Sequence, residues 1–169
     1  MPVIRWFSRS RRFAFPPPLA LETWLFDPGS LTKRLQRKSH GRFRVQVHRQ
    51  RWQKPRLDEA QALAIAPREW ALVREVTLWG NDTPWVQARS VLPLKTLQGK
   101  TRYLAHLGSR PLGAALFKEP TLQRSPLQYA YQKPLWGRRS VFVVRGKPVL
   151  VAEYFLPALL HAANQSVES

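Results

Sequence analysis

The stretch LWGRRSVFVVRGKPVLVAEYFLP, from Leu135 to Pro157, limits the possible folds more than any other part of the chain. Ser140–Val144 is rich in β-branched and aromatic residues, Arg145-Gly146-Lys147-Pro148 carries turn chemistry, and Val149–Phe155 resumes the extended pattern. The stretch therefore reads as a β-hairpin. Alternate residues of a strand point to opposite faces, so Val149, Val151, Glu153 and Phe155 share one face. Glu153 is the one charge on it. A carboxylate buried among Val and Phe strongly destabilises a fold unless it is paired or hydrogen-bonded. Glu153 either meets water or has a polar partner.

The same anomaly occurs earlier. Trp70–Trp79 and Trp85–Leu92 read as a hairpin around Gly80-Asn81-Asp82-Thr83-Pro84, with Trp70, Leu72, Arg74, Val76 and Leu78 on one face. Arg74 interrupts that apolar set, and a guanidinium fork binds a carboxylate through two parallel hydrogen bonds. Two arrangements satisfy these charges. Arg74 and Glu153 pair with each other or sit where the sheet edge meets water; or they line a pocket, Arg74 clamping a carboxylate and Glu153 accepting a hydrogen bond from a hydroxyl.

The remaining segments supply the elements around these hairpins. Leu19–Phe26 fits a short helix ended by Asp27-Pro28-Gly29, and Ser30 is a natural N-cap for a second helix, Leu31–Lys38. The first N–H groups of that helix lack internal partners and form a potential anion site. Arg42–Trp52 alternates, with Phe43, Val45 and Val47 opposite Arg44, Gln46 and His48, as in a half-buried antiparallel strand. Lys54–Pro67 reads as a polar connection with a helical turn near Asp58–Ile65. Leu97–Leu107 has roughly helical spacing, and Pro111 suits the start of a helix over Leu112–Lys118. Glu119–Pro134 reads as a surface connection, and residues 161–169 as a polar tail. Residues 1–18, with several Arg, no acid and a terminal Pro16-Pro17-Pro18, read as a basic, loosely held arm; a transit peptide would show more helical periodicity.

At 169 residues the chain accommodates one domain, here residues 19–160. Its net charge of +18 sets the sign of the partner: a polyanion or a small anionic substrate steered inward. The basic strand from Arg42 to Arg56 with Trp52 could stack nucleic acid, but a solvated outer face is the preferred reading. No Cys is present, which excludes disulfides and thiolate ligands and suits a reducing cytoplasm. No apolar run is long enough to span a bilayer, and the N-terminus lacks a secretory apolar core. Gly-rich phosphate loops are missing, and His40, His48, His106 and His161 lack metal-ligand spacing.

DPGSLTKRL, REVTLWGNDTPWVQARSVLP, LGSRPLGAALF and the 135–157 hairpin, in this order between about Leu21 and Leu159, closely resemble the chorismate lyase family. The resemblance implies an α+β fold: a single antiparallel sheet with helices packed on one face and helical flaps over a buried ligand pocket. It implies cleavage of chorismate to 4-hydroxybenzoate and pyruvate, the first committed step toward ubiquinone, in a cytoplasmic monomer without metal or organic cofactor. Nucleic acid and integral membrane association fall outside what it implies. Matched by motif, Arg74 holds the ring carboxylate and Glu153 lies near the ring hydroxyl, as the catalytic pair; Leu112 and Leu31 contribute main-chain N–H groups, Leu31 standing where the family has Met. Apart from the resemblance, positively charged groups, one of Arg138 and Arg139 among them, could stabilise charge on the departing enolpyruvyl oxygen; neither is counted among the site residues. The residues 1–18 lie outside the shared pattern. A non-catalytic effector-sensing domain on the same scaffold is the alternative. Such regulators carry a fused DNA-binding domain, for which residues 1–20 are too short.

Overall fold

The computed structural model describes residues 3–9 and 15–164. The two hairpins read from the sequence form the centre of one eight-stranded antiparallel sheet. Its strands are β1 (Phe7–Ser8), β2 (Phe43–Gln53), β3 (Ala71–Gly80), β4 (Thr83–Pro93), β5 (Gln123–Arg124), β6 (Gln128–Gln132), β7 (Leu135–Val144) and β8 (Lys147–Phe155). They are ordered β1-β6-β7-β8-β4-β3-β2, with β5 also paired to β7. Both hairpins close through two residues of positive φ, Asn81 and Asp82 (52° and 60°) and Arg145 and Gly146 (49° and 77°). Turns of that hand match the right-handed twist of the strands they join.

Among the described residues five α-helices complete the fold: α1 (Leu19–Leu25), α2 (Leu31–Lys38), α3 (Leu57–Leu63), α4 (Leu112–Phe117) and α5 (Pro157–Asn164). Ser30 caps α2 as expected, its Oγ accepting from the Lys33 N–H at 3.3 Å. On one sheet face, Leu21, Trp24 and Leu25 of α1 and Leu31 and Leu35 of α2 pack on Val76, Leu78, Trp136 and Phe155. Leu112 and Leu116 of α4 pack on Leu72, Leu92 and Phe142 of the same face. These are the helices expected on one face of a single antiparallel sheet. In the structure α3 backs the other face, where Ala60 and Leu63 meet Val73, Val91 and Leu150. The strands leave an apolar surface on both sides here, and each needs cover.

Other differences have local causes. Glu119–Pro134 is not a bare connection: β5 and β6 pair along β7, and β7 itself begins at Leu135, before the β-branched run starts. Gly99–His106 is 3₁₀ rather than α-helical. Within the expected loose arm, Phe7 and Ser8 pair with Tyr129 and Gln128; residues 1–2 and 10–14 lie outside the described residues. Of the expected tail, α5 continues to Asn164, and 165–169 lie outside the described residues. Among the described residues, no helix is long and apolar enough to cross a membrane.

On the α3 side, Glu59 is 5% exposed and takes hydrogen bonds from Arg89 Nε at 2.6 Å and Nη2 at 3.1 Å, and from the Arg56 N–H at 2.9 Å. Burial pushes its carboxyl upward, but those donors outweigh it and hold the group below its ordinary 4.5. A carboxyl lowered on folding contributes stability above its unfolded value, and that stability is lost as pH falls through the folded value. Glu59→Gln is expected to lower the unfolding free energy at neutral pH by about 1–2 kcal/mol, because Arg89 loses its closest counter-charge while keeping Glu75 at 2.7 Å. Urea denaturation between pH 7 and pH 3 checks both points: the variant shows a shallower loss below pH 4.5 than the wild-type protein.

Candidate functional site

Between the sheet and the starts of α2 and α4 lies a small cavity of about 40 Å³. That is roughly the room one water occupies. Strand register builds its floor. Arg74 faces Ser90, Ser90 faces Val151, and Val151 faces Ser140, while the next inward row runs Val76, Ala88, Glu153, Arg138. With strands about 4.8 Å apart, the Arg74 and Glu153 columns stand about 10 Å from each other and one inward row out of step. The structure brings all four residues singled out from the sequence, Leu31, Arg74, Leu112 and Glu153, to this one lining.

Arg74 and Glu153 do not pair with each other. Glu153 Oε2 accepts from Arg138 Nε at 2.7 Å, and Oε1 has no donor among the described residues. Arg138, its register partner on β7, is 1% exposed. Its Nη1 also donates to the carbonyls of Trp24 at 3.0 Å and Asp27 at 2.5 Å, tying the α1–α2 turn to the sheet. Arg139 points to the opposite face, where Nη1 meets Asp58 at 2.7 Å. Of the two arginines considered beside the departing oxygen, Arg138 therefore lines the cavity.

Arg74 is 3% exposed and has no carboxylate within ion-pair distance among the described residues. Nη1 donates to Gln50 Oε1 at 2.9 Å and Nη2 to the Arg110 carbonyl at 3.0 Å. Burial lowers the guanidinium pKa. A register shift in β2 between Val47 and Arg49 sets Gln50, rather than Arg49, opposite Arg74. Such a bulge re-aims every residue after it. Gln50 and the Arg110 carbonyl were invisible to the alternation pattern because a bulge and a loop place them.

The roof supplies further donors. The N–H groups of Leu31 and Leu112, each the first residue of its helix, have no acceptor among the described residues. α4 lies close on α2: a Cβ added to Gly113 would stand 2.7 Å from Thr32 Oγ1. Arg124, on β5, completes the charged lining. Neither it nor Arg138 was singled out among the site residues, although Arg138 interrupts an apolar face (Trp136, Phe142) as Arg74 does. Among the described residues no three His, Cys, Asp or Glu side chains converge as a metal site.

Three arginines and one glutamate thus line a small cavity that lies under two helix starts and over an antiparallel sheet. The chorismate lyase profile matches residues 3–165, and the chain belongs to the chorismate lyase family. It is 40% identical over 170 residues to "Chorismate pyruvate-lyase" of Serratia proteamaculans, covering 99% of this chain and 94% of that one. It is 47% identical over 157 residues to "Probable chorismate pyruvate-lyase" of Alcanivorax borkumensis, covering 88% of this chain and 76% of the relative. The fold is also shared with PhnF from Mycobacterium smegmatis (TM-score 0.56, 12% identity, 78% of this chain and 65% of that one). A GntR-family transcriptional regulator from Bacillus cereus is similar too (TM-score 0.52, 9% identity, 69% of this chain and 93% of that one).

The two opposed charges predict opposite stability effects. Glu153→Ala leaves Arg138 buried without a counter-charge and is expected to lower the unfolding free energy by about 3 kcal/mol. Arg74→Met removes a buried charge that has no acid beside it, so stability stays within about 1 kcal/mol of wild type or rises. Urea denaturation of the two variants, without ligand, checks the contrast; equal losses would contradict the assignment.

Proposed function

We propose that this protein is a chorismate lyase, releasing 4-hydroxybenzoate and pyruvate from chorismate, and that Arg74, Glu153, Leu31 and Leu112 hold the substrate. The observation that carries the reading is Arg74: a buried guanidinium with no acid partner among the described residues, facing the cavity that also holds Glu153. In free protein that charge is poorly compensated, and an arriving ring carboxylate compensates it. The N–H groups of Leu31 and Leu112, without an acceptor among the described residues, supply two further donors for a carboxylate. A backbone role at position 31 is indifferent to Leu in place of Met.

Across the floor, Glu153 has one oxygen engaged by Arg138 and the other open for the ring hydroxyl. In the reaction the bond from ring C3 to the enol oxygen breaks, C4 loses its hydrogen, and the enol gains a proton on its methylene carbon to become pyruvate. Aromatisation of the ring drives this, so the protein's part is to fix the ether side chain over the ring in a reactive conformer. Arg138 stands where negative charge develops on the enol oxygen, already oriented by Glu153 and two carbonyls. A ring acid is several times the size of the present cavity, so α2 or α4 moves to admit it and to release product.

Incubation of purified protein with chorismate is expected to give 4-hydroxybenzoate and pyruvate in equal amounts, with or without chelator. Arg74→Ala lowers kcat/KM on the order of a thousandfold. Tight binding of 4-hydroxybenzoate with no turnover of chorismate would instead favour an effector-sensing role on the scaffold shared with the GntR-family regulators.

A further inference from the structure

Arg124 is the one charged group of the cavity that the reading above leaves unused. The charged lining consists of Arg74, Arg124, Arg138 and Glu153, so three guanidiniums face one carboxylate and two positive charges remain. Glu153 compensates Arg138 through their 2.7 Å contact. Arg74 takes the ring carboxylate. Arg124 has no carboxylate within ion-pair distance among the described residues, and the guanidinium of Arg138 repels it. Burial and then Arg138 push its pKa down to about 10, only partly offset by Glu153.

Its geometry is that of an open fork. Nε donates to Ser140 Oγ at 2.8 Å and Nη1 to the Pro28 carbonyl at 2.8 Å, while Nη2 has no acceptor among the described residues. The guanidinium lies over the Phe142 ring, 4.7 Å from its centre, which sets its plane. Ser140 ends the row that begins at Arg74, three strand spacings or about 15 Å away. A ring lying between Arg74 and Glu153 carries its ether on the carbon next to the hydroxyl. The side chain of that ether therefore leaves the ring at the Glu153–Arg138 end, beside Arg124.

We propose that Arg124 binds the enolpyruvyl carboxylate of chorismate and makes the site selective for ring acids that carry a second carboxylate. The proposal rests on the chorismate lyase reading and adds a substrate-binding residue to it. A dianion matches the two uncompensated positive charges of the lining, whereas the ring product alone satisfies one of them. The pyruvate carboxylate then stays on Arg124 after cleavage, apart from the aromatic acid on Arg74.

Arg124 also holds the α1–α2 turn through Pro28, so the test must separate recognition from support. Chorismate KM and kcat are measured for wild type, Arg124→Gln and Arg124→Lys, together with direct binding of 4-hydroxybenzoate and of 3-(carboxymethoxy)-4-hydroxybenzoate. Arg124→Gln is expected to raise KM and to weaken the diacid on the order of a hundredfold, with 4-hydroxybenzoate affinity within about threefold of wild type. Arg124→Lys recovers part of the loss. Equal weakening of both probes, or an unchanged KM, overturns the proposal. Should neither variant fold, the wild-type protein decides: the diacid binds at least about tenfold more tightly than 3-methoxy-4-hydroxybenzoate, and equal affinities refute the assignment. Absence of turnover by wild-type protein counts against the lyase reading, while the diacid preference still reports on Arg124.

Discussion

The Arg138–Glu153 pair holds the site together. Two adjacent central strands each contribute one charge to the same inward row, and the pair is made at 2.7 Å in an almost dry environment. A buried pair of this kind is weak evidence for stability in itself, since an apolar pair of equal volume often serves as well. Its use here is positional. The same guanidinium grips two carbonyls of the α1–α2 turn, so the carboxylate, the arginine and the start of α2 share one set of hydrogen bonds. The roof of the cavity is thus tied to its floor by the group that stands closest to the proposed chemistry.

Around that pair the distribution of charge has two scales. The whole chain carries +18, most of it outside the cavity, where it raises the local concentration of a small anion. Inside, the imbalance is small and specific: three arginines, one carboxylate, and backbone N–H groups at two helix starts. Screening by salt weakens the first effect and hardly touches the second. The surface attracts any anion, and the interior chooses among them.

The fold likeness to GntR-family regulators shows how general this scaffold is. In this chain the cavity lies between the sheet and the helices of its inward face, and what the site does depends on which residues interrupt the inward rows. Here the interruptions are Arg74, Arg138 and Glu153, together with Arg124 from the short strand beside β7.

Much of this was legible in the sequence. Period-two alternation in Trp70–Leu92 and Val149–Phe155 determined both hairpins, the inward faces, and the fact that Arg74 and Glu153 stand on them, because a side chain on a strand has only two directions. Ser30 marked the start of α2 for an equally local reason, its hydroxyl accepting a helix N–H that has no other partner. What alternation could not contain is which rows become neighbours. That β8 lies between β4 and β7, so that Glu153 meets Arg138 rather than Arg74, depends on long-range pairing. The bulge that aims Gln50, the short strand that carries Arg124, and the second covered face under α3 likewise leave no periodic trace. Local sequence determined the direction of each charged side chain; only the tertiary structure decided its partner, because partners are set by packing across segments far apart in the chain.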